Sequence, residues 1–450
     1  MERDIISKLK LYMEQSKTVT ETVTGDHSQY TGHKAHTDNL AGQGIKDVNT
    51  SSGSKDNCSK YHKYDIDKIL AGYIWEDTEN EENEVSSCFI LESQFPLSYI
   101  HGGYPVGKAL DIDADSLKRL CPDIMCSNSI SDFLFLDTET TGLSGGTGTV
   151  AFLIGTGFFK DDVFIVRQYF MRDYDEEIAM LKALNHLAVS YKGLVTFNGK
   201  AFDWNLMQTR YTFSRIKIPI EEILHIDLLY PARRIWGSSL DSCSLSSLEE
   251  NILGEYRVND IPGAMIPSVY FKYLEDRDAR EIKRVIKHNE QDVLSMVSLL
   301  LKINDLLQNP IANTECEHEL LGLGRIFEAC GENENFIECL ENCLNSENIF
   351  VKETASKKLS QIYKKTGNYE KAVEYWNSMI SDRETLNIYP LIELAKYYEH
   401  KEKNIFKALE ITEKAVQLSL KMGINNSIYR EDLKKRLTRL TRKAGKIDNA

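Results

Sequence analysis

The sequence predicts an α/β domain, with a mixed sheet flanked by helices, followed by an all-α region of helical repeats. Two observations lead to this fold class. Apolar, β-rich runs alternate with helical patterns between residues 131 and 305. Beyond about residue 315 no strand pattern remains, and three helical segments resemble one another at nearly constant spacing. A chain of 450 residues has room for two or three domains.

The N-terminal 130 residues carry the weakest patterns. Residues 1–60 are predicted to form a disordered arm, because 16–60 are polar, rich in Ser, Thr, Gly and Asn, and without periodicity. Residues 61–130 contain short apolar pieces, such as Tyr73-Ile74-Trp75. We expect them to form an extension that packs on the α/β domain.

The α/β domain, predicted over 131–305, begins with a meander of three strands. The apolar runs at 133–136, 149–159 and 163–170 are β-rich, and a polar turn of hairpin type separates the last two. Helix and strand patterns then alternate: helix 175–190, strand 193–198, helix 202–213, strand 222–229 and mostly helix over 267–302. A meander followed by this alternation predicts a mixed sheet.

Charge and cysteine usage narrow the classes of protein. The net charge of −14 counts against a protein that coats DNA through non-specific phosphate contacts. The nine cysteines fit reduced thiols, although Cys339 and Cys343, one helical turn apart, leave a zinc pair open beside core thiols. No apolar stretch has the length of a membrane span and the N-terminus lacks a secretory h-region, so we expect a cytoplasmic protein without membrane contact.

Carboxylates follow the first apolar strand directly. Asp137 and Glu139 are two residues apart, so on a strand they share a face. Two like charges on one face repel and lose hydration, and a hard divalent cation would supply the missing countercharge. Alone, this pair also fits a strand that ends in water.

Two further motifs add acids and a histidine. The stretch Phe197-Asn198-Gly199-Lys200-Ala201-Phe202-Asp203 ends another apolar strand, and Asp203 opens a helix, where an ordinary N-cap is the alternative. His288 and Asp292 lie four residues apart on a helix and share a face, where a surface pair is the alternative.

The three motifs in this order resemble the DEDD 3′–5′ exonucleases of the RNase H-like superfamily. The residues that carry the match are Asp137, Glu139, Asp203, His288 and Asp292. The Phe-Asn-Gly-Lys-x-Phe-Asp segment and the His-Asn-x-x-Asp-Val segment are similar to those of bacterial RNase H-like proteins with C-terminal tetratricopeptide repeats.

The resemblance implies hydrolysis of DNA or RNA, most typically at a single-stranded end, with two Mg²⁺ or Mn²⁺ ions. It implies that Asp137 bridges both ions, that Glu139 and Asp292 hold the ion that activates water, and that Asp203 serves the second ion. His288 would orient or deprotonate the water. Family members with a histidine usually place it five residues before the last Asp, whereas those with a tyrosine use four, so His288 occupies the spacing of the tyrosine.

Basic residues are candidates for contact with nucleic acid. Lys200, Arg233 and Arg234 could bind phosphate or lie solvated. The segment 430–446 predicts an amphipathic helix with a basic face, which could cap the repeats or bind nucleic acid, and we favour the cap. Asp227, at the end of another strand, is expected to be structural.

The repeats are predicted over 315–445. The segments that begin at Leu323, Leu359 and Leu394 each read Leu, small residue, two others, aromatic, and lie 36 and 35 residues apart. This spacing is similar to tetratricopeptide repeats and implies a protein partner, with an irregular helical bundle as the alternative. The first and third copies are expected to carry extra residues between their helices. Two other functions remain open: an inactive scaffold that binds nucleic acid, and a structure-selective endonuclease.

Overall fold

A computed structural model describes residues 66–77, 86–142, 148–220, 223–381, 387–422 and 427–447. The arm predicted over 1–60 lies outside these residues. No helix among them is long and apolar enough to cross a membrane.

A seven-stranded mixed sheet forms the centre of the described α/β part, in the order β1-β2-β7-β6-β5-β8-β9. β5, β6 and β7 form the predicted antiparallel meander, and β8 and β9 continue it in parallel with β5. β1 and β2 add two antiparallel strands beyond β7, so part of the N-terminal segment enters the sheet. The strands, with a small separate hairpin of β3 and β4, are β1 Gly72–Asp77, β2 Ser86–Pro96, β3 Ile100–His101, β4 Tyr104–Pro105, β5 Phe133–Thr140, β6 Ala151–Lys160, β7 Val163–Phe170, β8 Gly193–Thr196 and β9 Leu224–Asp227.

Helices cover both faces of the sheet and then continue alone. They are α1 Ile66–Ile69, α2 Ala114–Leu120, α3 Glu177–Ala188, α4 Asp203–Phe213, α5 Leu229–Trp236, α6 Leu245–Leu248, α7 Ile266–Asp276, α8 Ile282–Gln308, α9 Pro310–Asn313, α10 Glu317–Cys330, α11 Asn333–Cys343, α12 Ile349–Lys365, α13 Tyr369–Ser381, α14 Tyr389–His400, α15 Ile405–Lys421 and α16 Ser427–Ile447. The predicted fold class, an α/β domain with a mixed sheet followed by an all-α region, is therefore confirmed.

Alternate residues of β5 face two separate cores. Leu134 and Leu136 pack in the core beneath α3, α4 and α7. Phe133 and Phe135 pack in the core that contains α5 and most of α8. Because side chains alternate along a strand, Asp137 and Glu139 continue the second row, on the side of the sheet that α8 covers.

The core on the α8 side continues into the helical region without a break. The indole Nε1 of Trp236 donates to Oε1 of Glu319 at 2.8 Å, and both side chains are buried. Gly322 of α10 lies so close to α5 that a Cβ atom there would be 2.3 Å from the carbonyl oxygen of Arg234. A side chain on residue 322 would therefore separate the two helices.

Three consecutive helix pairs, α10–α11, α12–α13 and α14–α15, follow the sheet, and each contains one of the three similar segments in its first helix. The links between paired helices are 331–332, 366–368 and 401–404. The expectation of extra residues in the first pair is wrong, because a tight left-handed turn at Gly331 closes it. Cys339 and Cys343 are buried in the core, where burial raises both thiol pKa values to about 12.

The basic helix α16 packs on the last pair. Leu433 and Leu440 are buried, and Arg436, Arg439 and Lys443 surround the carboxylate of Glu399. Burial would raise the pKa of Glu399, but the hydrogen bonds and charges of these cations lower it to about 2. Part of the basic face of α16 therefore binds Glu399 of the same chain, which favours a cap over a surface for nucleic acid.

Candidate metal centre

Asp137 and Glu139 lie at the carboxyl end of β5, where the pairing with β6 becomes irregular. The register shifts between Glu139 and Thr140, so the strand bends where the two carboxylates leave the sheet. The side chain of Glu139 is 12% exposed, which leaves it accessible to a small ligand.

Asn289 of α8 fixes the position of Asp137. Nδ2 of Asn289 donates to Oδ2 of Asp137 at 2.8 Å. Nε2 of Gln168 in turn donates to Oδ1 of Asn289 at 2.8 Å. The helix can approach this closely because Gly155 faces it from β6, where a Cβ atom would lie 2.1 Å from Asn289 Oδ1. One glycine of β6 therefore sets the distance between the strand and the helix that together form the site.

Asp203 is the first residue of α4, and its N-cap is Phe202, so the alternative in which Asp203 is a simple N-cap is wrong. Thr138, between the two acids of β5, donates its hydroxyl to Oδ1 of Asp203. Asp203 is only 6% exposed, and burial raises the pKa of its carboxyl group to about 6 despite this hydrogen bond.

His288 and Asp292 project from one face of α8 and are surrounded by charged side chains. Nδ1 of His288 lies 2.8 Å from Oδ1 of Asp260. Arg257 donates to Oδ1 of Asp292. Its Nε also donates to Oε2 of Glu249 at 2.6 Å, and Glu249 is buried in a π-helical turn. The guanidinium also lies 3.4 Å from Asp260 and 3.1 Å from Nδ1 of His288. Asp292 thus has one oxygen held by a cation.

The surroundings of the two carboxylates of β5 disfavour their ionised form. Burial, followed by the charges of Asp292 and Asp203, raises the pKa of Asp137 well above its ordinary value. Burial and the charges of Asp137 and Asp292 do the same to Glu139. Both shifts indicate that these carboxylates face their acidic neighbours and that a nearby cation would stabilise their ionised form.

Three of the predicted residues have the geometry of a ligand set. One ligand atom each from Glu139, His288 and Asp292 lies within 4.8 Å of the other two. Nε2 of His288 lies 3.9 Å from Oε1 of Glu139 and 3.4 Å from Oδ2 of Asp292. Oxygen and imidazole donors with an excess of negative charge fit a divalent cation. Asp137 is next to this group on β5, and Asp203 adjoins it through Thr138.

The candidate phosphate-binding cations do not join the carboxylates. Within the described residues, no hydrogen bond or ion pair connects Lys200, Arg233 or Arg234 to the acids of the site. All three side chains are exposed, and those of Arg233 and Arg234 lie in the last turn of α5.

Asp227 has the structural position that we expected. Its carboxylate accepts the backbone N–H groups of Asn198 at 2.8 Å, Lys200 at 3.0 Å and Leu229 at 3.1 Å. Asn198 has a φ of +67°, so these bonds hold a tight left-handed turn just before Asp203.

Sequence reasoning missed the residues that hold the acids in place. Thr138 and Asn289 adjoin predicted ligands in the sequence, so their positions indicated that they lie near the site. Arg257 and Asp260 lie in a connection without periodicity, about thirty residues before Asp292, and no pattern in the sequence relates them to it. Only the path of the chain brings them together.

A meander continued by two parallel strands, with acids at the end of β5, at the start of α4 and on α8, defines an RNase H-like fold. A model of the RNase_H superfamily matches residues 134–304. A protein of Bacillus subtilis (strain 168), described as the uncharacterized protein YprB, is 33% identical over 365 residues, which span 79% of this chain and 86% of that protein. The chain therefore contains an RNase_H superfamily domain over residues 134–304 and belongs to one family with that protein.

Proposed function

We propose that this protein is a metal-dependent nuclease, a 3′–5′ exonuclease of the DEDD type that hydrolyses phosphodiester bonds at single-stranded ends of DNA or RNA. The observation that carries the proposal is the convergence of Glu139, His288 and Asp292 beside Asp137 and the buried Asp203. Superfamily membership indicates a nuclease, and the order of the acids supports the finer class.

The residues fit two divalent ions, Mg²⁺ or Mn²⁺. Asp137, Glu139 and Asp292 would hold the ion on the water side, and Asp137 with Asp203 would hold the second. When bound, such a pair lowers the pKa of water and neutralises the charge that grows on the phosphate and the leaving oxygen. The chain itself contributes the orientation of these ligands, since Asn289 holds Asp137, Thr138 holds Asp203 and Arg257 holds Asp292.

The experiment offers labelled single-stranded DNA and RNA to the purified chain with Mg²⁺ or Mn²⁺. We expect stepwise release of mononucleotides from the 3′ end. The substitution Asp137→Ala should lower the rate by at least about 100-fold, because ions at such sites contribute several kcal/mol. Asp123→Ala, which removes an exposed acid elsewhere, should cleave like the wild type.

Two results would reject the proposal: no cleavage of any DNA or RNA substrate, or cleavage that Asp137→Ala leaves unchanged. Products that arise from internal cuts would instead identify a structure-selective endonuclease on the same fold. Binding of nucleic acid without cleavage would identify a scaffold.

For the helical region we propose tetratricopeptide-like repeats over 315–445 that bind a protein partner. The support is the shared pattern of the three helix pairs and a cleft of about 300 Å³ near the ends of α12, α13 and α14, lined by Gln361, Lys364, Lys365, Tyr369, Tyr389 and Glu393. A partner identified by cross-linking should lose affinity for Lys365→Glu while nuclease activity stays unchanged. Equal affinity for both proteins would reject this surface.

A further inference from the structure

The ring of His288 is surrounded by carboxylates rather than by solvent. Its Nδ1 faces both oxygens of Asp260, at 2.8 Å and 3.0 Å. A carboxylate only accepts hydrogen bonds, and both oxygens lie closer to Nδ1 than the guanidinium of Arg257 does at 3.1 Å, so we assign the ring proton to Nδ1. In the neutral ring the lone pair then lies on Nε2, which is directed at Glu139 and Asp292.

A lone pair that faces two carboxylate oxygens needs a positive partner between them. Nε2 lies 3.4 Å from Oδ2 of Asp292 and 3.9 Å from Oε1 of Glu139. Bonds of about 2.1 Å to one ion would place neighbouring ligand atoms about 3–4 Å apart. The three atoms therefore have the spacing of ligands that share a single ion.

Two neighbours complete the arrangement. Arg257 holds Oδ1 of Asp292, and Oδ2 is the oxygen that faces His288. Asp260 holds the opposite nitrogen of the ring, and metal-binding histidines typically donate that N–H to a carboxylate. The spacing of four residues on α8 also stacks His288 directly beside Asp292, as in other helices that present two ligands to one ion.

We propose that Nε2 of His288 is a direct ligand of the ion held by Glu139 and Asp292, and that this site takes Mn²⁺ in preference to Mg²⁺. Mg²⁺ takes oxygen ligands, whereas an imidazole nitrogen suits the transition metals better. The proposal rests on the ion pair of the proposed function and replaces the role of general base, because one lone pair cannot bind an ion and accept a proton.

The first measurement is pulsed EPR of the wild-type protein with one equivalent of Mn²⁺, without substrate. A coordinated imidazole nitrogen modulates the electron spin echo of Mn²⁺, and oxygen ligands do not. We expect this modulation in the wild type and in His186→Gln, which removes an exposed histidine elsewhere. It should disappear in His288→Gln.

The second measurement is titration calorimetry with each metal. His288→Gln should weaken Mn²⁺ binding by at least about tenfold and Mg²⁺ binding less, and Asp260→Asn should weaken Mn²⁺ by about 10- to 100-fold through the ring that it positions. Circular dichroism checks that each variant folds. The EPR measurement of the wild type tests the proposal even if a variant does not fold.

Bound Mn²⁺ without nitrogen modulation in the wild type would overturn the ligand role alone, and cleavage with Mg²⁺ would then leave the proposed nuclease intact. Nitrogen modulation that persists in His288→Gln would also overturn the ligand role of His288. Failure of the wild type to bind either metal would overturn this inference together with the two-ion mechanism.

Discussion

Three acids of the site each accept a hydrogen bond from an uncharged or cationic side chain. Asn289 donates to Asp137, and Thr138 donates to Asp203. Arg257 reaches Asp292 from a separate loop, anchored by the buried Glu249. Each such bond restricts the rotamers of a carboxylate and so prepares its position before any ion arrives.

At this scale, a substitution at Gly155 tests how closely α8 must approach the sheet. A Cβ atom in Gly155→Ala would collide with the amide of Asn289, so we expect that amide to shift and to release Asp137. A displacement of about 1 Å can cost about 100-fold in rate. Oligonucleotide cleavage with saturating Mn²⁺ measures the loss.

The control is Gly263→Ala, because nothing lies within 4 Å of the Cβ atom there. It should retain the wild-type rate. If Gly155→Ala cleaves as fast as this control, the Asn289–Asp137 contact has no influence on the site.

Local rules predicted which of these side chains share a face, and the resemblance to the DEDD exonucleases combined the two pairs with Asp203 into one expected site. Asp137 and Glu139 share a face by strand alternation, and His288 and Asp292 share one by helical spacing. The positions of Arg257 and Asp260 depend on an irregular connection between a π-helical turn and α7, and no local rule describes such a path. The roles of Arg257 and Asp260 could therefore not be predicted from the sequence.

Single helices connect the two parts of the chain. The first turns of α8 pack with α3, α4 and α7, its middle carries His288, Asn289 and Asp292, and its later turns share the core of the helical region. α5 and α10 form a second connection at Gly322. The helix patterns were visible in the sequence, but the docking between regions depends on a glycine whose role appears only when its neighbour is known.

A matched pair on α10 tests this docking. Gly322→Ala should lower the free energy of unfolding by about 1–3 kcal/mol, because the added methyl group meets the backbone of α5, which cannot move aside as a side chain can. Gly324→Ala adds the same group where the nearest atom is a side-chain carbon of Phe336 at 3.3 Å, and it should stay within about 1 kcal/mol of the wild type.

Urea unfolding followed by circular dichroism measures both variants. Equal stability of Gly322→Ala and Gly324→Ala would show that α5 and α10 tolerate separation, and that the close approach contributes little.

For the whole molecule, the acids of the site link stability to pH and to metal. The pKa values of Asp137, Glu139 and Asp203, the last at about 6, are raised in the folded protein. The folded protein therefore binds more protons than the unfolded chain, so with chelator its stability falls as pH rises from about 4 through 6 and beyond.

Thermal melts with EDTA or Mn²⁺ at pH 5.5 and pH 7.5 measure this linkage. Mn²⁺ should raise the midpoint more at pH 7.5, where protons no longer compete for the carboxylates, and binding at 100 times Kd adds about 2.7 kcal/mol. Asp203→Asn should reduce the fall in stability with pH. A midpoint that Mn²⁺ leaves unchanged at both pH values would contradict the linkage.

The shared core has a consequence for how this protein can change over time. A helix of 27 residues, about 40 Å long, carries the candidate metal site in its first half and packs in the core of the helical region with its later turns. Substitutions in the core of the helical region therefore also change the packing of the helix that carries the candidate metal site. We therefore expect that a change of side-chain volume in one region of this core requires a matching change in the other.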